Sequence, residues 1–264
     1  MTASVTSGTP GAPGGGWGRV SRRTGRWPAR TGYDGALADA DGDSSSRPAA
    51  RRPAYLLVVE IQFCDDRGAA GFSWIADEPA TRTSHALASG GGVWLVDPVR
   101  HEPALARARE LGEPRAVIQL LDRHNRDCAA VAAELGVAHL VVPDAVADSP
   151  FELVTVRRTK RWRETALWWP ATRTLVVAEA IGTNRFFAAP GEPAGVHLLL
   201  RLSPPRDALG DFAPEHLLVG HGRGVHGPAA REALRRALDR SRKELPRLLA
   251  RVPGLAVDAV RRRT

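Results

Sequence analysis

The sequence predicts a layered α/β domain behind a disordered N-terminal tail, and three observations predict it. Residues 1–53 are rich in Gly, Ser, Pro, Arg and Asp and hold no apolar run, so they bury too little surface to offset the entropy of ordering. From Ala54 onward, short runs of branched and aromatic residues recur between Gly, Pro, Asp and Arg, which is how buried strands are punctuated. Three stretches switch to helical spacing, and many strands with few helices make a layered arrangement. The expected division is a tail over 1–53 and one domain over 54–264.

Taken in order, the runs AYLLVVEI, GFSWIA, GVWLVD, AVIQLL, HLVV, ELVTV, TALWW, TLVVA, VHLLL and HLLV read as strands. EPALARARELG reads as a helix from Glu102, with Pro103 in its first turn and a stop at Gly112. RDCAAVAAELG reads as a second, ending at Gly136, with Cys128, Val131, Ala132 and Leu135 on one face. The third helix is PAAREALRRALDRSRKELPRLLARV, with leucines at helical spacing and an expected kink at Pro246.

The net charge of +8 points toward nucleic acid only superficially. The tail to Pro53 has eight Arg against four Asp, and the terminal RRRT holds much of the remaining excess, so the body is nearly neutral. Trp162, Trp168 and Trp169 lie among Arg157, Arg158, Lys160, Arg161 and Arg163. Such interleaving can stack single-stranded bases, but a core strand with a basic edge explains it more simply, with Trp162 alone free to stack. Cys64 and Cys128 form no CxxC pair, which argues against a zinc ribbon or disulfide framework and for a reducing cytoplasm. No run matches a membrane span. GRGVHG, Gly222 to Gly227, fits the dinucleotide pattern GxGxxG, yet the helix after it runs past the point where a ribose-binding carboxylate should end a second strand.

From Gly71 to Gly136 the order is strand, SGGG turn, strand ending in Asp97-Pro98, helix, strand, polar loop, helix. With a strand-rich second half ending in LLVGHGRG and a long helix, this resembles the metallo-β-lactamase superfamily over about Gly71 to Val252. The resemblance implies a four-layer αββα sandwich with a dinuclear metal site at one rim. Laid on the HxHxDH hallmark, the first histidine position is Arg123, the second Asn125, the Asp is Asp127 and the last His is Cys128. The third-histidine position falls near Lys160, the strand-end Asp on Glu179, and the final His on His221.

Arginine does not shed its proton and a lysine beside a dication would have to, so a standard dinuclear site is not expected. One reading has Arg123 and Lys160 neutralising Asp127 and Glu179, with His221 completing the cluster. The rim of Arg123, His124, Asn125, Cys128, Lys160 and Glu179 would then hold a small anionic ligand in a metal-free, non-catalytic module, with no cofactor. The opposing reading keeps a hydrolase with one shifted zinc or other divalent ion on Asp127, Cys128, Glu179 and His221, or an Asp127/His221 couple as base and orienter. A nucleic-acid role through the basic segments is the third. Phe186 and Phe187 either line a pocket mouth or pack beneath it.

Overall fold

The computed structural model describes residues 60–124 and 126–251. The expected disordered tail and its boundary, most of the first predicted strand, Asn125 and the RRRT terminus lie outside the described residues. The first sheet joins β1 (Ile61–Cys64), β2 (Gly71–Ala76), β3 (Thr83–Ser89), β4 (Gly92–Val96), β5 (Glu113–Gln119) and β6 (Ala138–Val141) in that order. Its first four strands form an antiparallel meander, and the last two are parallel additions. The β3–β4 turn uses Gly90 and Gly91 at φ 56° and 76°, a conformation that costs glycine nothing.

Parallel pairing needs a crossover, and α1 (Glu102–Leu111) and α2 (Cys128–Leu135) supply two. Period-2 alternation divides β4 between two cores. Val93 and Leu95 face the helices, packing with Leu105, Ala108, Cys128 and Val131, while Trp94 and Val96 face the second sheet. Gly136 ends α2 in the left-handed conformation at φ 68°.

The second sheet is built from β7 (Glu152–Thr159), β8 (Trp162–Trp169), β9 (Thr174–Val177), β12 (His216–Val219) and β13 (Val225–His226), ordered β13-β12-β9-β8-β7. Between β9 and β12 lie a two-stranded ribbon, β10 (Ile181–Gly182) with β11 (Gly195–Val196), and the short α3 (Arg206–Leu209). Helix α4 (Pro228–Arg240) packs against β11, β12 and β13 through Ala230, Ala233, Leu234, Ala237 and Leu238. With α1 and α2 outside the first sheet and α4 outside the second, the described residues form a four-layer αββα sandwich.

Three local expectations change. VHLLL is strand only to Val196; His197 then caps a 3-10 turn over Leu198–Leu200. The C-terminal helix breaks between Arg240 and α5 (Leu245–Leu249), so Pro246 sits in the first turn of a new helix instead of kinking a continuous one. Trp162 is buried and donates its indole N–H to Glu164 at 2.7 Å, which removes it as a free stacking platform. GRGVHG contains β13, which pairs antiparallel with β12, so it is no phosphate-cradling loop opening directly into a helix.

Two backbone seams join the sheets along one rim. Arg82 bridges to His221, flanked by Thr83 N–H donating to Gly220 O at 2.8 Å and Gly222 N–H to Thr81 O at 3.0 Å. Leu121 bridges to Glu164, with Thr165 N–H donating to Leu120 O at 2.9 Å and Asp122 N–H to Arg163 O at 3.0 Å. Both seams lie at the C-terminal ends of parallel strands, just past β5 and β12, and residues beyond β4 and β9 join them at the same rim.

Candidate functional site

Asp97 follows β4 and His124 sits in the loop after β5, so the chain brings a carboxylate and an imidazole together. Asp97 is 2% exposed; its Oδ1 accepts from Leu120 N–H at 3.1 Å, and its Oδ2 accepts from His124 Nδ1–H at 3.1 Å. Burial pushes the Asp97 carboxyl upward, but His124 and Arg126 outweigh it and hold it below the usual range. An ionised acceptor there leaves His124 Nδ1 as a donor, which turns Nε2 toward the rim.

That nitrogen meets two groups. Glu179, just past β9, places Oε2 at 3.1 Å from His124 Nε2, and His221, just past β12, places its own Nε2 at 3.3 Å. His221 Nδ1 donates to the Ala80 carbonyl at 2.8 Å. A carbonyl only accepts, so the His221 proton is on Nδ1 and its Nε2 is a lone pair facing inward. Phe187 stacks on the His221 ring at 5.3 Å and 19°, fixing its plane.

The charges follow from these contacts. Burial raises the Glu179 carboxyl, but the His124 hydrogen bond and the surrounding imidazoles bring it down to about 2. Burial, then Arg126, lowers His221 to about 4. For His124, burial and Arg126 press downward, yet Asp97 and Glu179 prevail and its pKa is raised. In the metal-free state His124 is therefore the imidazole of the cluster that holds a second proton most readily.

Arg126 is one of the residues that sequence reasoning passed over. Its guanidinium donates to the carbonyls of Thr83, Asp97 at 2.9 Å and Gly220 at 2.8 Å, one each from the starts or ends of β3, β4 and β12. With Arg82, Arg123, His124, Glu179 and His221 it lines a cavity of about 300 Å³. Arg82 pairs with Glu78; Arg123 lies 4.0 Å from Glu179, donates to Arg161 O at 2.8 Å and covers the Trp162 ring at 4.1 Å. A second cavity of about 280 Å³ shares Glu179 and His221 and adds Pro79, Ala80, Asn184, Phe186, Phe187 and His197.

Of the residues singled out from the sequence, the structure brings together His124, Glu179 and His221, with Arg123 beside them. Asp127 Oδ2 accepts from Arg100 N–H at 2.7 Å, on the α2 side of the first sheet, so it partners neither His221 nor Glu179. Cys128 is buried in the helix-facing core and donates to the His124 carbonyl at 3.6 Å, its thiol pushed up by burial. Lys160 is exposed in the two-residue β7–β8 turn. Asp97, Arg82, Arg126 and His197 were not flagged; the one available signal was that Asp97-Pro98 closes a strand.

The side chains of His124, Glu179 and His221 each offer a ligand atom within 4.8 Å of the others. Two imidazoles and a carboxylate are a borderline-ion donor set, and three protein ligands leave a position open. Tetrahedral bonds of ~2.0–2.1 Å place neighbouring donors ~3.3–3.4 Å apart, close to the 3.3 Å between the two Nε2 atoms. Both Nδ1 atoms are anchored to acceptors, the arrangement that orients metal-binding histidines. The residues present fit one ion.

No protein-family model matches the chain, and no curated protein matches it. Solved structures of similar fold include the DIM-1 metallo-β-lactamase, 11% identical, TM-score 0.47, over 68% of this chain and 97% of that one. Another is a metallo-β-lactamase from Hirschia baltica, 13% identical, TM-score 0.46, over 69% and 97%. A third is a putative diflavin flavoprotein A 5 from Nostoc sp. PCC 7120, 13% identical, TM-score 0.47, over 71% and 97%. These likenesses concern the fold alone. Among the described residues, no helix is long and apolar enough to cross a membrane.

Proposed function

We propose that the chain is a hydrolase-type enzyme that holds a single zinc or similar divalent ion on His124, Glu179 and His221 and acts on a small anionic substrate. The observation that supports it is the facing pair of Nε2 atoms at 3.3 Å, each on a ring whose Nδ1 is committed outward. Two inward lone pairs beside a carboxylate repel unless a positive charge lies among them. Such an ion supplies Lewis acidity and makes water a usable nucleophile near neutral pH.

The chain's own groups would divide the remaining work. Asp97 holds the His124 ring in one tautomer, and Phe187 holds the His221 plane. Arg82, Arg123 and Arg126 face Glu78, Glu179 and Asp97, so a dication leaves a positive surplus in the 300 Å³ cavity. That surplus favours an anionic substrate, which Arg82 and Arg123 would orient at the mouth. The neighbouring cavity with Phe186 and Phe187 accepts an apolar portion.

A second reading is favoured by the raised pKa of His124. There the positive charge is that proton, and the rim is a metal-free anion-binding module. Elemental mass spectrometry on full-length protein supplied with zinc, iron and manganese separates the two. About one equivalent, lost in Glu179→Gln/His221→Ala, supports the metal centre; none in the wild type leaves the protonated module.

A further inference from the structure

The 3-10 turn after β11 places a third imidazole against the cluster in a way that fixes its protonation from the backbone. His197 caps that turn, and its Nδ1 accepts the Leu199 N–H at 3.2 Å. A nitrogen that accepts from an amide carries no proton, so a neutral ring has its proton on Nε2. That Nε2 lies 3.4 Å from Glu179 Oε1, the oxygen not facing His124. The ring is wedged between Trp162 at 5.0 Å and 72° and Phe187 at 5.3 Å and 68°, both edge-on. Its main chain is held too, by His197 N–H donating to Ala180 O at 3.0 Å, next to Glu179 in sequence.

We propose that His197 is a positioning residue for Glu179: its Nε2–H occupies Oε1, so that the carboxylate presents only Oε2 to the space between His124 and His221. This rests on the metal-centre reading above and specifies how one of its ligands is held. The same turn explains the tautomer without a charged partner, because the acceptor role of Nδ1 is imposed by a main-chain amide. Glu179 is then clamped at both ends, since Glu164 Oε1 accepts the Glu179 and Ala180 N–H groups at 2.8 and 2.9 Å. Outer-shell partners of this kind typically change metal affinity about 10- to 100-fold when removed.

The test uses the full chain, titrated with cobalt(II) as the probe, for the wild type, His197→Phe and His197→Gln. Phenylalanine keeps a ring between Trp162 and Phe187 and removes the N–H; glutamine keeps an N–H donor. The expected result is a cobalt affinity about 10- to 100-fold lower in His197→Phe, with an altered visible spectrum, and substantial recovery in His197→Gln. Nitrogen-15 spectra of wild-type histidines should show the Nε2–H tautomer for His197, a readout that needs no variant to fold. An Nδ1–H tautomer, or unchanged affinity and spectrum in His197→Phe, overturns the assignment while leaving the metal centre standing. A wild type that binds no cobalt overturns the metal centre itself, and this role with it.

Discussion

His124 and His221 face each other through Nε2 at 3.3 Å while Asp97 and Ala80 hold their Nδ1 atoms from opposite sides. The pair sits between two backbone seams that fasten one sheet to the other, so the rings are held by the fold itself. A cluster built this way binds one positive charge at a time, a proton or a cation, and the two must compete.

Metal affinity should therefore rise with pH. The His124 pKa is raised above its ordinary 6.5, and its proton must leave before Nε2 can ligate, whereas His221 at about 4 is already neutral. Zinc titrations from mildly acid to mildly alkaline pH should show affinity climbing through the raised His124 value and then levelling. Affinity independent of pH over that range would contradict the shared-charge account.

Fold stability should fall on acidification for a separate reason. His85 is fully buried, with Nδ1 at 2.8 Å from Ser73 Oγ, and burial lowers its pKa from 6.5 to about 4. The unfolded chain then takes up the proton first, so its contribution is complete above about 6.5 and is lost as pH falls toward about 4. His221 acts in the same direction, whereas the contribution of the raised His124 is already complete below about 6.5 and does not change across this window. Thermal unfolding of the metal-free protein should give a melting temperature that drops across this window; one that stays level or rises would refute the assignment.

The two arginines of the loop should behave differently. Arg126→Met removes a donor from the Thr83, Asp97 and Gly220 carbonyls, the last of which keeps the Thr83 N–H, and takes away the cation beside Asp97, a loss on the order of 3–5 kcal/mol by analogy with broken buried pairs. Arg123→Met removes a half-exposed cation stacked on Trp162, costing about 1 kcal/mol or less, and should act mainly on anion binding. Urea denaturation measures both, and equal losses would show that Arg126 is not the internal fastener.

Gly222→Ala should disturb the loop that carries His221. Gly222 has φ +103°, and an added Cβ would lie 2.2 Å from Thr183 Oγ1 and 2.7 Å from Asn184 N. The Thr183 side chain can give way, but a backbone nitrogen cannot, so the loop must move. A stability loss on the order of 1–3 kcal/mol with a lower metal stoichiometry is expected. Calorimetric unfolding and metal content equal to wild type would mean that the loop adapts without moving His221.

Sequence patterning made the layers legible because buried strands and amphipathic helices write their periods into the chain: GVWLV and EPALARAREL fall where expected as β4 and α1. Glu179 and His221 were legible only through the resemblance, which puts them at its strand-end acid and final histidine positions, and both lie at the rim just past β9 and β12. Which residue of the loop Arg123 to Cys128 turns inward was not, since a loop has no period. The answer depends on His124 N–H folding back to Leu121 O at 2.9 Å and on Arg126 adopting φ 35°. Asp127 and Cys128 share ligand chemistry with their neighbours, but helix α2 begins there and turns both toward the first sheet's outer side. His197 was hidden inside VHLLL, whose apolar residues read as a strand although Leu199 within it and Leu202 just beyond it are 75% and 65% exposed around a tight turn.

X-ray absorption at the zinc edge, on full-length protein prepared with zinc, tests the central claim most directly. The account predicts a shell of nitrogen and oxygen at ~2.0–2.1 Å with outer scattering from two imidazoles and no sulfur. Protein that takes up no zinc, or a sulfur shell at ~2.3 Å that would bring in Cys128, would contradict a centre built on His124, Glu179 and His221.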